Sequence, residues 1–217
     1  MLDPLRPDLE WLGAWIAGRA LARGLPTPFR DRGGWRAEVG TDTEKRRWLF
    51  DSLNADVLAL ASEIEEPGLN IRVFCESDVL QAALPPGWKV GAPSYAMVAT
   101  VACRERAIPA GFRLDAQYDS SCAHVTILTD AGELAASGHA GIGPDAFVYD
   151  RIRTMPEYGR LGLGTAVMHA LAKSLPHPAL PQLLMATEAG RMLYETLGWQ
   201  IVSPYASAGW VGQKATR

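Results

Sequence analysis

Apolar residues recur every three to four positions between Asp8 and Gly24: Leu9, Leu12, Ile16, Ala20 and Leu21 share a face, with Trp11 and Trp15 beside it. That period predicts a helix over 8–24, its tryptophans packed on the chain's own core. Pro26 and Pro28 close it, and Arg30-Asp31-Arg32-Gly33-Gly34 reads as a polar, turn-rich linker. The period then becomes two over Trp35–Val39, a strand. Thr41 or Thr43 is placed to cap a helix holding Trp48, Leu49 and Phe50, and a second helix follows Asn54 with Val57, Leu58, Leu60, Ala61 and Ile64 apolar. A strand over 70–75, a helix opened by Ser77 and closed by Pro85-Pro86-Gly87, and strands near 88–90 and 95–101 complete the first half.

The second half opens on three closely spaced strands, 112–118, 123–128 and 134–142, with turns at Asp119-Ser120-Ser121 and Asp130-Ala131-Gly132. A fourth strand over 147–154 runs into Met155-Pro156-Glu157. The helix beyond it carries Leu163, Val167, Leu171 and Leu175 on one face, and a strand over 182–186 leads to a last helix. Residues 71–97 read strand, short helix, Gly-Trp, strand and then Tyr95-Ala96. Residues 183–206 repeat that order through Gly198-Trp199 to Tyr205-Ala206. The echo implies a duplication in which 34–101 is a worn copy of 147–214. The expected organisation is an N-terminal helix and linker over 1–33, a degenerate half over 34–105 and a complete domain over 106–217.

Composition narrows the class. A chain of 217 residues with 48% hydrophobic and 21% charged residues has material for a sizeable core. A net charge of −3 gives no bulk attraction to nucleic acid, and no nucleic-acid partner is expected. Cys75, Cys103 and Cys122 are widely spaced, with no metal-ligand spacing; reduced thiols and no metal are expected. The first residues carry no signal-peptide pattern and no apolar run reaches membrane length, so a cytoplasmic protein without a membrane partner is expected. A homodimer is left open.

The chemistry lies at the strand-to-helix turn over 158–165, Tyr-Gly-Arg-Leu-Gly-Leu-Gly-Thr. Gly162 and Gly164 permit close backbone approach, and a helix start adds unpaired N–H groups and partial positive charge. Such a turn holds a phosphate. A Walker A loop needs Gly-Lys-Ser/Thr, and no lysine is here; a dinucleotide fingerprint needs a small residue where Val167 stands. The third reading is a pyrophosphate loop. Pro156-Glu157-Tyr158 followed by Gly159-Arg160-Leu161-Gly162-Leu163-Gly164 resembles the CoA loop of the GNAT superfamily, the acyl-CoA-dependent N-acetyltransferases. Gly159 stands at the family's first motif position and its basic residue falls one place later. A second stretch, Thr187 to Trp199, resembles the family's last helix and its Leu-Tyr-Glu-x-Leu-Gly-Phe run. Thr187 replaces the usual Asn and Gly190 the usual Ala.

The resemblance covers about the last half of the chain. It implies an α/β (α+β) fold with a mixed, mostly antiparallel twisted sheet flanked by helices. It also implies acetyl-CoA as cosubstrate and a small-molecule or amino-acid-like primary amine as acceptor, acetylated by direct attack in a ternary complex. By that resemblance Ile152, Arg153 and Thr154 hold the pantetheine arm. Gly159, Arg160, Leu161, Gly162, Leu163, Gly164 and Thr165 take the pyrophosphate, and Tyr194 protonates the leaving thiolate. For the base, two residues stand out: Asp150, which shares strand parity with Ile152 and Thr154, and His139. The family usually places two helices between its first two strands, and only a tight turn fits between Tyr118 and Ala123. The first half is therefore expected to wall the acceptor site, with Leu80, Leu84, Trp35 and Trp88 covering the face around Val125, Ile127 and Leu128. The alternative is a non-catalytic CoA-binding or regulatory module that kept the fold.

Overall fold

The computed structural model describes residues 2–103 and 105–212. Helix α1 (Leu9–Leu21) starts where the Asp8 carboxylate accepts from the backbone N–H groups of Glu10 and Trp11. Strands β1 (Phe29–Asp31), β2 (Gly34–Glu38) and β3 (Arg46–Phe50) follow. Helix α2 (Ala55–Glu63), β4 (Leu69–Val73), α3 (Ser77–Ala83), β5 (Trp88–Val90) and β6 (Ser94–Ala99) complete the first half. The second half holds β7 (Phe112–Tyr118), β8 (Cys122–Thr129), β9 (Leu134–Ile142) and β10 (Phe147–Thr154). A 3-10 turn (Pro156–Tyr158), α4 (Leu163–Ala172), β11 (Gln182–Thr187), α5 (Glu188–Thr196) and β12 (Trp199–Trp210) end it. The expected mixed, mostly antiparallel sheet is present. Its order is β1-β2-β3-β4-β12-β6-β11-β10-β9-β8-β7, and among the described residues only β3–β4 and β10–β11 pair in parallel.

Two sequence expectations fail here for physical reasons. Trp48, Leu49 and Phe50 form a strand, not a helix. Trp48 and Phe50 pack towards α2 and Leu49 packs under α1, so both faces of β3 are covered. A strand buried on both sides reads as a continuous apolar run and loses the alternation that would have marked it. The supposed linker over 30–34 is a hairpin between β1 and β2, turned by Arg32 and Gly33, both at positive φ.

The last strand of each half lies in the other half's sheet. β6 is inserted between β11 and the first part of β12, pairing Leu183 with Val98 and Trp199 with Ala99. The second part of β12 is inserted between β4 and β5, pairing Ile71 with Ala208 and Trp88 with Trp210. The two inserted strands take similar places in the order, but the expected residue equivalence fails: Ile71 and Trp88 share one core, whereas Leu183 and Trp199 lie in different ones.

Three cores result. One lies between the second-half sheet and α4 with α5, around Val125, Ile127, Phe147, Val167 and Leu171. Another lies between the first-half sheet and α2 with α3, around Phe50, Ile71, Leu80 and Trp88. The third lies on the opposite face at the junction, where α1 buries Trp11, Leu12, Trp15 and Ile16 against both halves. Each such side chain contributes roughly 1.5–3 kcal/mol. The wall expected from Leu80, Leu84 and Trp88 is therefore not formed: those residues belong to their own half's core, and α4 covers Val125 and Ile127. Trp35 instead braces α1, its indole N–H donating to the Leu9 carbonyl at 2.7 Å. Helix α1 itself lies across β9 and β10, where Gly18 meets Gly141 so closely that a Cβ on Gly141 would stand 1.8 Å from the Gly18 carbonyl oxygen.

Candidate functional site

The site is built where β10 leaves β11. The two parallel strands are paired only at Phe147–Gln182 and Val148–Leu183. Beyond that point β11 continues along β6 and β10 continues along β9 to Thr154. Among the described residues, the edge of β10 facing β11 has no strand partner from Tyr149 onward, so its N–H and C=O groups remain to be satisfied.

At the same place β10 is bulged. The register shifts between Asp150 and Arg153, and Arg151 sits at φ 52. A left-handed non-glycine residue costs roughly 1–2 kcal/mol, and such strain clusters at functional sites. The bulge also reverses the faces. Ile152 reaches Val167 and Leu171 over Gly138, and the Thr154 hydroxyl approaches Gly164, so both lie on the α4 face. Asp150 lies on the α1 face, pairing with Arg19 and Arg23. The expectation that parity places Asp150 beside Ile152 and Thr154 is overturned by this one extra residue.

The loop between β10 and α4 has the form of an anion cradle. Arg160 (φ 64) and Gly162 (φ 78, ψ 10) are left-handed, and Gly162 is the N-cap of α4 with no side-chain cap. The opening N–H groups of α4, on Leu163, Gly164 and Thr165, therefore lack side-chain acceptors, and its first turn holds no acid. The equivalent start of α2 differs: the Asn54 side chain accepts from Asp56 and Val57 N–H at 3.0 and 3.1 Å, and Asp56 sits in the first turn. One helix start is closed to an anion and the other is open. A Cβ on Gly162 would fill the cradle, standing 2.8 Å from Nε and Nη2 of Arg106. Arg106, in the link after β6, thus hangs its guanidinium over the loop, which itself carries the exposed Arg160. Nothing in the motif pointed to Arg106, because its approach depends on the path of an irregular segment. Tyr158 anchors the base of the loop, donating to Glu133 at 2.8 Å and packing edge-on to Phe112.

Helix α5 closes the site from the same face. Thr187 caps it by accepting from the Gly190 N–H at 3.2 Å, which keeps the cap despite the missing Asn. Leu193 touches Gly164, bringing α5 against the start of α4. Tyr194 is 7% exposed and tilted against Trp199. Burial pushes its phenol up to about 12, and the charge of Asp150 adds to this. The phenol is protonated at neutral pH and is a proton donor.

The two base candidates lie together on the α1 face, opposite one another in the β9–β10 ladder. Burial raises the proton affinity of Asp150, but its bond to Arg23 and the charges of Arg19, Arg23 and Arg151 outweigh burial and hold it below the ordinary carboxyl value. His139 stacks on His124 at 4.3 Å. Burial first, then His124 and Arg151, lower its pKa, which keeps the imidazole neutral at neutral pH. A separate cavity of about 540 Å³ opens near the other end of α4, lined in part by Val98, Lys173, Leu180 and Gln182; it contains none of these residues.

No family model matches the chain, and no curated protein matches it in sequence. Solved structures match its fold. A GCN5-related N-acetyltransferase from Kribbella flavida superposes with a TM-score of 0.58 at 15% identity, over 89% of this chain and 92% of its own. A GNAT-family chain from Novosphingobium aromaticivorans gives 0.60 at 16% identity, over 99% and 100%. A GCN5-related N-acetyltransferase from Sphaerobacter thermophilus gives 0.56 at 7% identity, over 97% and 94%. The fold is GNAT-like, across both halves of the chain. Among the described residues no helix is long and apolar enough to cross a membrane.

Proposed function

We propose that the protein is an acetyl-CoA-dependent N-acetyltransferase acting on a primary amine of a small molecule. One observation carries the reading: the uncapped, glycine-turned start of α4 stands beside the place where β10 parts from β11, with a protonated tyrosine on the same face. The N–H groups of Leu163, Gly164 and Thr165, with Arg160 and Arg106, would bind the pyrophosphate. The unpaired edge of β10 around Ile152 would hold the pantetheine arm by backbone hydrogen bonds. When bound, acetyl-CoA supplies a thioester carbonyl as electrophile. A β10 N–H would polarise that carbonyl, and Tyr194 would give its proton to the departing sulfur. The amine must lose a proton as it attacks. His139, neutral and on the α1 face, suits that task better than Asp150, which two guanidinium groups already hold.

The same reading takes 34–105 as a degenerate copy of the second half, supported by the exchanged strands. Asn54 and Asp56 then close its CoA site. The engaged state of Asp150 favours one other reading, a CoA-binding module without turnover. Thiol release from acetyl-CoA across a panel of amines separates the two. Tyr194→Phe removes one hydroxyl and is expected to lower kcat about tenfold or more, with CoA affinity unchanged. Wild-type turnover in that variant would return Tyr194 to the core.

A further inference from the structure

On the α1 face, where the two halves join, six charged side chains meet. Asp150 accepts from Arg23, with one bond of 2.9 Å from Nη2, and lies 3.7 Å from Nε of Arg19. Glu44, on the loop between β2 and β3, pairs with Arg47 and with Arg72, the latter at 3.2 Å. Four guanidinium groups thus face two carboxylates. The Arg19 and Arg47 side chains are only 7% and 5% exposed, so the excess positive charge is largely out of water. Burial, with Arg47 and Arg23 adding, drives Arg19 down to about 9.

Three polar atoms here are buried with no partner among the described residues: Arg47 Nε, Arg72 Nε and the Tyr205 hydroxyl. The Tyr205 ring is fixed by edge contacts with Trp15 and Phe74, and its phenol lies within electrostatic range of Arg72, Arg47, Arg19 and Glu44. A buried donor left unpaired costs about 1–3 kcal/mol, and uncompensated buried charge costs more. What would relieve both is a group with acceptor lone pairs, no donors and negative charge. A carboxylate is such a group, and its two planar oxygens match guanidinium geometry. A cationic group would add to the excess, and a neutral one would leave it.

We propose that Arg47, Arg72 and Tyr205 form a recognition subsite for a carboxylate of the acceptor, which makes the substrate an amino acid or a similar amino-carboxylate. The proposal rests on the acetyltransfer reading. It places the carboxylate deep at the junction and the amine towards Asp150, where β10 parts from β11. It also gives the first half a role without CoA: β3 and β4 carry Arg47 and Arg72 into the second half's site.

The test compares the protein amino acids with their carboxamides, which keep the amine and lose the charge. In thiol release with the full chain, the carboxamides are expected to fall about ten- to a hundredfold in kcat/KM, the weight of a charge-assisted hydrogen bond. Tyr205→Phe should narrow that gap through KM rather than kcat. Heat denaturation gives a readout without chemistry: a preferred amino acid should raise the wild-type Tm, its carboxamide should not, and Tyr205→Phe should blunt the rise. Equal kcat/KM for amino acids and carboxamides overturns the subsite and leaves acetyl transfer standing. Stabilisation by amino acids, blunted in Tyr205→Phe, with no thiol release from any amine supports the subsite and overturns the transfer. Stabilisation by inorganic phosphate as strong as by amino acids overturns the carboxylate assignment. A Tyr205→Phe chain that is more stable and discriminates as before shows an internal ion network only, and also overturns it.

Discussion

Asp150 shows how one residue's surroundings decide its chemistry. Its carboxylate is 11% exposed and sits between Arg19 and Arg23, so its proton affinity is lowered despite burial. A group with a depressed folded pKa contributes stability above its unfolded value and loses it as pH falls through the folded value. Asp150→Asn should therefore cost about 3 kcal/mol near neutrality, by leaving two buried guanidinium groups uncompensated. It should also flatten the acid limb of a Tm-against-pH curve below the ordinary carboxyl value of 3.8. An unchanged neutral Tm in that variant would contradict the ion-pair account. Sequence parity misplaced this residue because it assumes an unbroken pleat, and the bulge at Arg151 adds a residue that no local pattern announces. The loop glycines were legible for the opposite reason. Gly162 and its neighbours act through backbone conformation, which glycine spacing encodes directly, whereas Arg106 and the Arg47–Arg72–Tyr205 group meet only in three dimensions.

Among elements, the comparison of α2 with α4 carries most weight. Both start after a parallel strand, yet Asn54 satisfies the first N–H groups of α2 while Gly162 leaves those of α4 without a side-chain acceptor. Asn54→Ala should cost about 1 kcal/mol in chemical denaturation and leave CoA affinity unchanged. A loss of CoA affinity there would mean that the first half also takes part in cofactor binding. The periodic helices were legible: α1 and α4 lie where the apolar stripes put them, and α5 where the resemblance of 187–199 put it. Strand β3 was not, because burial on both faces erased its alternation, and β1 was too short and polar to stand out.

For the whole molecule, the exchange of β6 and the end of β12 makes each half depend on the other. Each half alone would lack an interior strand and expose the edges of β4 or β11, and open edges invite aggregation. Residues 1–105 and 106–217 made separately are expected to be unfolded or aggregated, and the full chain to unfold in one transition. Two independent, cooperative halves would contradict the exchanged sheet. The echo in the sequence marked two similar stretches but not the exchange of β6 with the end of β12, since period and composition do not say which sheet a strand joins. The account's central claim, that the start of α4 is a CoA pyrophosphate site, is tested most directly by calorimetric titration of acetyl-CoA into the wild-type chain and Gly162→Val. The account predicts binding to the wild type and its loss in the variant, where a β-branched side chain at positive φ fills the cradle. Equal affinity in the two proteins, or no binding to the wild type, would contradict it.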